Sequence, residues 1–442
     1  MPDDAGLWLW RFGAAGDLPD PRPNRTVDDL DAMQMPGMRQ CAALCHVPAQ
    51  RRHVGAGDAC PVKSDVHTAP RVYHTPFVRN RPLVDPYYRP YTPHLTVVEV
   101  TRRVRMREIQ GPLMVDIRTR GVFATMRPEL DRVEARLESA AQVDFPAVAE
   151  LVLGLVQAGG KRLRPLILLL AGRSFNADGD TLVTAGAGVE LLHTASLVHD
   201  DTVDRSALRR GRPTLNSMLS NGAVIMLGDF LFAQSAMLAA ATDSPRVVRV
   251  FASTLADICD GQLREMFGAH RLDQTQVDYE QRIYGKTASL FAGSAEMGAI
   301  IGSSSESAIS SLRQYGADVG MAFQIVDDVL DLREGEQQLG KPAGHDLTQG
   351  TVTLPTIIYA AGLSAESAAM TRLRDVVNGE TLDQPDVDRV VRDIRGSGAL
   401  ESALDVANAF ADKAKFHAAE VADAETFEMF AEVADIICQR SA

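Results

Sequence analysis

Three aspartates within five residues occur twice in this chain: Asp200, Asp201 and Asp204 in LVHDDTVD, then Asp327, Asp328 and Asp331 in FQIVDDVLD. Both triplets sit among apolar, helix-forming neighbours. In a helix, positions i and i+4 share a face, so Asp200 with Asp204, and Asp327 with Asp331, project paired carboxylates in one direction. Carboxylates set beside Leu, Val and Ile are costly to bury unless cations compensate them. The fold must therefore bring two helices from distant parts of the chain together and leave room for positive charge between them. The donors are hard oxygens with no Cys and one nearby His, which points to Mg2+ held by carboxylates together with the phosphate oxygens of a ligand. Two facing clusters of this kind make a site for a diphosphate.

From about residue 127 the pattern is helical almost without interruption. MRPELDRVEARLESAAQVDF spaces apolar positions at the helical period, and VAELVLGLVQA, LILLLAGRSF, VTAGAGVELLHTASLVHDD, AVIMLGDFLFAQSAMLAAA and LRQYGADVGMAFQIVDDVLDL follow. Ala is frequent and β-branched alternation scarce, so residues 126–442 are expected to form one all-α domain, a single large bundle of roughly ten or more helices around a central cavity. Residues 1–125 read differently. Thirteen of the 22 prolines and five of the ten histidines fall in residues 1–110, and segments such as DLPDPRPNR and DPYYRPYTPH sustain no period. This part is expected to be an irregular, disordered extension, and Met126 stands just before the first regular pattern as an alternative start. GLWLW is too brief for a secretory signal, and Asp3, Asp4, Asp17 and Asp20 argue against a transit peptide.

Charge separates the same two segments. Residues 1–110 carry fifteen Lys/Arg against twelve Asp/Glu, leaving 30 against 46 for the rest of a chain whose net charge is -13. Such a balance argues against a nucleic-acid binder, which needs a basic face. With no run of about eighteen apolar residues, a transmembrane segment is not expected, and PLILLLAG is too short for one. Five cysteines in 442 residues make no disulfide framework and suit a cytoplasmic, reducing location. Cys41, Cys45, His46, His53 and Cys60 match no usual zinc spacing. His270, His345 and Cys259 carry no functional argument.

Cations accompany the acidic clusters in a set order. GGKRLRP, Gly159 to Pro165, offers a glycine pair for close backbone approach, with Lys161 and Arg164 to grip phosphate. RSALRRGRPT follows the first cluster, GKTASL holds Lys286 and Thr287, Gln324 precedes Asp328 by one turn, and GKPAGHD contains Lys341. In order and spacing these segments resemble the signature motifs of the trans-isoprenyl diphosphate synthases, the polyprenyl synthetase family, and the resemblance runs from about Met126 to the end of the chain.

The resemblance implies the isoprenoid synthase fold and a prenyltransferase that condenses isopentenyl diphosphate onto an allylic diphosphate. It implies that Asp200, Asp201, Asp204, Asp327, Asp328 and Asp331 carry three Mg2+ ions. Lys161, Arg164, His193 and Arg210 match positions that hold isopentenyl diphosphate; Arg209, Lys286, Thr287, Gln324 and Lys341 match those contacting the allylic substrate, Lys286 also counting as catalytic. Where many relatives have Gly-Lys before TLP this chain has Gly350-Thr351, so one phosphate-gripping lysine is missing. The growing product is expected to run along the helix of the first cluster past Ala195 and Ser196. Both are small, which suits a medium- or long-chain product, with a deeper floor at Met226, Phe230 or Phe232. A homodimer through a helix face and a transient membrane contact for product release complete the expectation. The rivals are a class I terpene cyclase, which needs no isopentenyl diphosphate site, and a non-catalytic subunit, which typically loses aspartates that this chain keeps. A ferritin-like di-metal bundle would need Glu-x-x-His pairs, which are not found.

Overall fold

The computed structural model describes residues 121–209, 212–333, 343–380 and 383–439, all within the unit Arg89–Ala442. Sixteen α-helices occur among them, and the only strands are two-residue β1, Leu208–Arg209, and β2, Arg212–Pro213, paired antiparallel just after the first aspartate cluster. The all-α expectation therefore holds. The expected boundary at residue 126 falls inside the helical body, because α1, Gly121–Thr125, is already helical and buries Val122 and Phe123. Its Val122 amide donates to Glu432 Oε2 at 2.8 Å, tying the start of the helical region to its last helix. Residues 1–120 lie outside the described residues.

Local signals explain most helix starts. Helix α2, Arg127–Ala140, and α3, Pro146–Gln157, carry proline in the first turn, where no amide hydrogen is needed. Asp178 caps α5, Gly179–Val203, by accepting from the Thr181 amide at 2.8 Å, and Ser220 and Ser244 cap α6, Asn221–Ala240, and α7, Pro245–Gly268. Thr275 and Asp278 form a reciprocal capping box at α8, Gln276–Ile283. From there the chain passes through a π-helical turn, Tyr284–Ala288, into α9, Ser289–Ile301.

The core is built around helices that are apolar on every side. Helix α4, Leu163–Arg173, buries nine of its eleven residues between α5 and α9, which buries eleven of thirteen. The 28-residue α10, Glu306–Arg333, runs through both halves of the core. Its Ile309, Leu312, Tyr315 and Val319 join a cluster shared with the α1–α7 region, whereas Ile325, Val326, Val329 and Leu332 join a second. That second cluster is completed by α8 and by α11, His345–Thr348, α12, Leu354–Ala361, α13, Ala368–Val377, α14, Gln384–Gly396, and α15, Ala399–Ala419. Helix α16, Ala424–Gln439, returns to the first, where the Tyr315 hydroxyl donates to the Phe430 carbonyl at 2.9 Å.

Helices α5 and α6 are each long and apolar enough to cross a bilayer by length and composition. The run-length expectation misses them because scattered polar residues interrupt the apolar stretch. Helix α5 instead occupies the bundle interior, while α6 turns one face outward, with Met226 65% and Met237 64% exposed.

Helices α9 and α10 approach at Gly316, where an added Cβ would lie 2.4 Å from the Phe291 carbonyl oxygen. Backbone cannot yield as a flexible side chain would. We predict that Gly316→Ala destabilises the fold by roughly 1–3 kcal/mol, because the overlap exceeds the helix-propensity gain of about 1 kcal/mol. Urea unfolding measures it; an unchanged midpoint would contradict the close approach.

Candidate functional site

The first aspartate cluster closes α5, and the second stands at the end of α10. Helical geometry divides each triplet. In the first, Asp200 and Asp204 share a face, while Asp201 is turned inward, where Arg209 Nε reaches both of its oxygens at 2.8 and 3.0 Å. In the second, Asp327 is exposed and Asp331 half-buried, while Asp328 is buried. Asp328 Oδ2 accepts from the Tyr279 hydroxyl at 2.7 Å and Oδ1 from the Gln324 amide at 2.7 Å. Gln324 Oε1 in turn accepts from Thr287 Oγ1 at 2.6 Å. Asp201 and Asp328 are thus engaged by Arg209 and by Tyr279 with Gln324, while Asp200 and Asp204 share one face of α5 and Asp327 and Asp331 one face of α10. Thr287 and Gln324 hold Asp328, and Arg209 holds Asp201.

Lys286 stands beside the first cluster. The π turn that carries it packs on α7 where Gly261 leaves no side chain; a Cβ there would fall 2.1 Å from the Lys286 amide nitrogen. Lys286 Nζ pairs with Glu265 of α7, one turn beyond Gly261. Burial opposes its charge, but Glu265, then Asp200 and Asp204, outweigh burial and hold its pKa above the ordinary lysine value. The same Lys286 and Glu265 act on Asp346, at the start of α11, which also feels Asp327. The ion pair therefore acts directly on the first cluster and reaches the second only by way of Asp346.

Crowding shows in the carboxylates. Burial first, then Asp204 and Glu265, raise Asp200 to about 6 against the pull of Lys286 and Arg209. Burial and Asp346 push Asp328 and Asp331 up to about 8, and burial with Glu265 and Asp327 lifts Asp346 to about 6. Among the described residues no three His, Cys, Asp or Glu side chains close tightly enough to enclose a metal by themselves. The oxygen-only donors and their crowded negative charge fit a divalent cation that takes its remaining ligands from a bound anion.

Three contributors escaped the sequence reading. Asp346 follows the dismissed His345; its amide donates to Asp331 Oδ2 at 3.3 Å, making it a fourth member of the second cluster. Glu265 sits in GQLRE as one more charge on an amphipathic helix, and only tertiary packing reveals it. Arg282, 3% exposed, places Nη2 on the Val352 carbonyl at 2.6 Å and Nη1 on Gln274 at 2.9 Å, and opposes the burial of Asp328 and Asp346. The loop that lacks the family lysine is held by backbone: Gly350, at φ 72°, receives the His270 amide at 2.9 Å, and Thr351 donates to Asp346 O at 2.9 Å. His270 Nδ1 also meets the Val377 carbonyl at 2.8 Å, so its role there is structural.

On the cationic side, Lys161, Arg164 and His193 are half-buried at the α3–α4 loop, the start of α4 and the middle of α5. The Arg164 guanidinium lies 4.4 Å from the centre of the Phe291 ring. Arg210 and Lys341 fall outside the described residues. Ser196 shares a face with Asp200, one turn upstream, with its hydroxyl bonded to the His193 carbonyl, and Ala195 is fully enclosed. Met226 is too exposed to floor a tunnel within one chain, so that expectation is corrected; Phe230 and Phe232 do pack against the core.

The polyprenyl synthetase family model matches residues 146–394. Heptaprenyl diphosphate synthase component 2 from Geobacillus stearothermophilus is 38% identical over 298 residues, covering 67% of this chain and 91% of that protein. Octaprenyl diphosphate synthase from Haemophilus influenzae is 36% identical over 245 residues, 55% of this chain and 74% of that one. The structure of a polyprenyl synthase from Caulobacter crescentus, complexed with calcium and isoprenyl diphosphate, superposes with a TM-score of 0.69 at 34% identity, covering 73% of this chain and 97% of that one. With its paired acidic helices and its cationic loops in the family's order, this chain belongs to the polyprenyl synthetase family.

Proposed function

We propose that this chain is an all-trans polyprenyl diphosphate synthase that joins isopentenyl diphosphate to an allylic diphosphate and makes a medium- or long-chain product. The observation that carries the reading is the Lys286–Glu265 pair, which acts on Asp200 of the first cluster and on Asp346, the residue whose amide is bonded to Asp331 of the second. Similar proteins named for heptaprenyl and octaprenyl products support the product class.

In this reading Asp200, Asp204, Asp327 and Asp331 hold Mg2+, with three ions per site, and Asp201, Asp328 and Asp346 keep those carboxylates in place. Bound there, the metal supplies charge neutralisation for a departing diphosphate. Lys286 adds a fixed positive charge at the same place, already oriented by Glu265. Lys161, Arg164 and His193, with Arg210, hold isopentenyl diphosphate; Arg209 and Lys341 complete the allylic side. The allylic carbon–oxygen bond breaks and diphosphate leaves with the electron pair. The double bond of isopentenyl diphosphate then attacks the allylic carbon, and the new cation loses a proton to the departed diphosphate. Holding both partners in one orientation removes most of the entropic barrier.

Five cysteines in 442 residues support a cytoplasmic location. A second copy of the chain is the occupant proposed for the exposed apolar face of α6 and α7, where Met226, Met237, Leu263, Met266 and Phe267 are all at least half exposed. Transient membrane contact for product release is proposed for the same reason that the product is a long hydrocarbon.

We predict that purified protein given labelled isopentenyl diphosphate and allylic primers of increasing length extends them. Asp200→Ala or Asp327→Ala should lower turnover by about a hundredfold or more with the circular dichroism spectrum unchanged; wild-type turnover in either variant would reject the assignment. Stability should respond to metal in a pH-dependent way. The raised carboxylates keep their protons in the native state while the unfolded chain has released them. Their contribution is thus present below the ordinary aspartate value and is lost as pH climbs through about 6 and then about 8. In EDTA the melting temperature should fall across that range, and added Mg2+ should raise it more at the alkaline end; a pH-independent increment would count against the cluster. Sedimentation velocity should give a dimer of the 47.8 kDa chain, and the pair Met266→Glu with Phe267→Glu should give monomer. A monomeric wild type would refute the proposed interface.

A further inference from the structure

Arg162 lies between the two phosphate-gripping cations of GGKRLRP, yet it is only 7% exposed and points into the protein. Its backbone is left-handed, φ 52° and ψ 36°, at the entry to α4. Such a conformation persists in a non-glycine residue where surrounding contacts fix it, and here they do. Nε and Nη2 meet the two oxygens of Glu134 at 2.8 and 2.9 Å, Nη1 meets Glu190 Oε1 at 2.7 Å, and Nη2 also reaches the Val156 carbonyl at 2.8 Å. One guanidinium thereby ties the loop to α2, to the end of α3 and to α5. The loop backbone rests on the ion pair, for a Cβ on Gly160 would stand 3.6 Å from both Arg162 Nη1 and Glu190 Oε1.

The partner on α5 gives this knot its meaning. Glu190 is three residues before His193 and ten before Asp200 on one uninterrupted helix. At a rise of 1.5 Å per residue these lie about 4.5 Å and about 15 Å along the axis. Lys161 and Arg164 flank Arg162 in sequence. Where Arg162 grips α5 therefore decides where those cations stand relative to His193 and how far they stand from the first acidic cluster.

We propose that Arg162 is a positioning residue for the isopentenyl diphosphate pocket: through Glu190 it sets the height of Lys161 and Arg164 along α5 and so the spacing between the two diphosphates. The inference rests on the function proposed above. It separates two carboxylates that a purely structural role would treat alike. Glu190 links Arg162 to the helix carrying both substrate grips, whereas Glu134 links it to α2, which carries neither.

Steady-state kinetics of Glu190→Gln and Glu134→Gln, each nearly isosteric and each leaving Arg162 one carboxylate, distinguish the cases. Expected for Glu190→Gln is a KM for isopentenyl diphosphate raised about tenfold, as for loss of one charged hydrogen bond, with the KM for the allylic substrate little changed; Glu134→Gln should leave both near wild type. If the two KM values move together, if both variants behave alike, or if only the melting temperature falls, Arg162 is structural and the proposal is wrong. Arg162→Lys, which loses the planar fork, should follow Glu190→Gln. A parallel measurement does not depend on turnover: calorimetric binding of inorganic pyrophosphate in EDTA, where the acidic clusters repel the anion and the basic pocket alone is read. Weaker binding in Glu190→Gln but not in Glu134→Gln supports the proposal, and equal binding overturns it. A wild type that binds pyrophosphate but condenses nothing would instead refute the proposed function.

Discussion

Carboxylates withdrawn from water beside one another are the constraint around which the second half of this molecule is arranged. Asp200, Asp328, Asp331 and Asp346 all have their pKa values raised, burial being the largest cause in each. Left alone, such a cluster would open or take up protons. Two buried cations restrain it. Lys286 faces Asp200 and Glu265 from the π turn, and Arg282, one turn earlier, stands under Asp328 and Asp346. Neither cancels the charge. The imbalance that remains is what the proposed function fills with a divalent cation and a diphosphate, since a site already neutral would have no use for metal.

Holding a lysine at that point is a backbone problem before it is a charge problem. A regular helix through residues 284–288 would continue the register of α8, whereas the π turn shifts it by one residue and lets Lys286 emerge toward α7. Helix α7 accepts the shift because Gly261 presents no side chain there. The middle aspartates solve the matching problem for the acidic helices. Asp201 bonded to Arg209, and Asp328 bonded to Tyr279 and Gln324, lock the rotation of α5 and α10 about their axes, and so aim the outer aspartates.

Fold class and the outer aspartates were legible in the sequence because both follow from the helical period alone. Asp200 and Asp204 had to share a face wherever α5 went, and an apolar run such as LILLLAGR had to be interior. Less legible was anything that depended on which helices meet. Glu265 looks like any exposed charge on α7 until the Gly261 contact brings Lys286 beside it. Asp346 reads as loop until its amide caps Asp331. Tyr279 and Arg282 lie in YEQRIYGKT, where the period marks them as two positions of a short helix, and nothing local says that one carries a hydroxyl to Asp328 and the other a charge to Asp346. Met226 failed for the opposite reason. MLGDFLF has the composition of core, but the helical period turns Met226 outward, to the face left by α5.

That exposure bears on product length. Helices α5 and α6 run antiparallel, since Gly228 packs on His199 near one end and Gly188 packs on Leu238 and Ser235 near the other. His199 also meets the Phe232 ring edge-on at 5.1 Å. Phe232 is therefore level with the acidic end of α5 and not beneath it, and Phe230 is its near neighbour on the same helix. Further from the aspartates the seam is formed by Gly188, Ser235, Leu238 and Ala239, and neither Gly179–His193 of α5 nor Ala233–Ala240 of α6 contains Phe, Tyr or Trp. An aromatic floor along this seam would have to come from α6 at the height of Ala195 and Ser196 or not at all. Beyond that height neither helix supplies an aromatic stop, and the two close directly on one another, a Cβ on Gly188 standing only 3.2 Å from Leu238 Cβ.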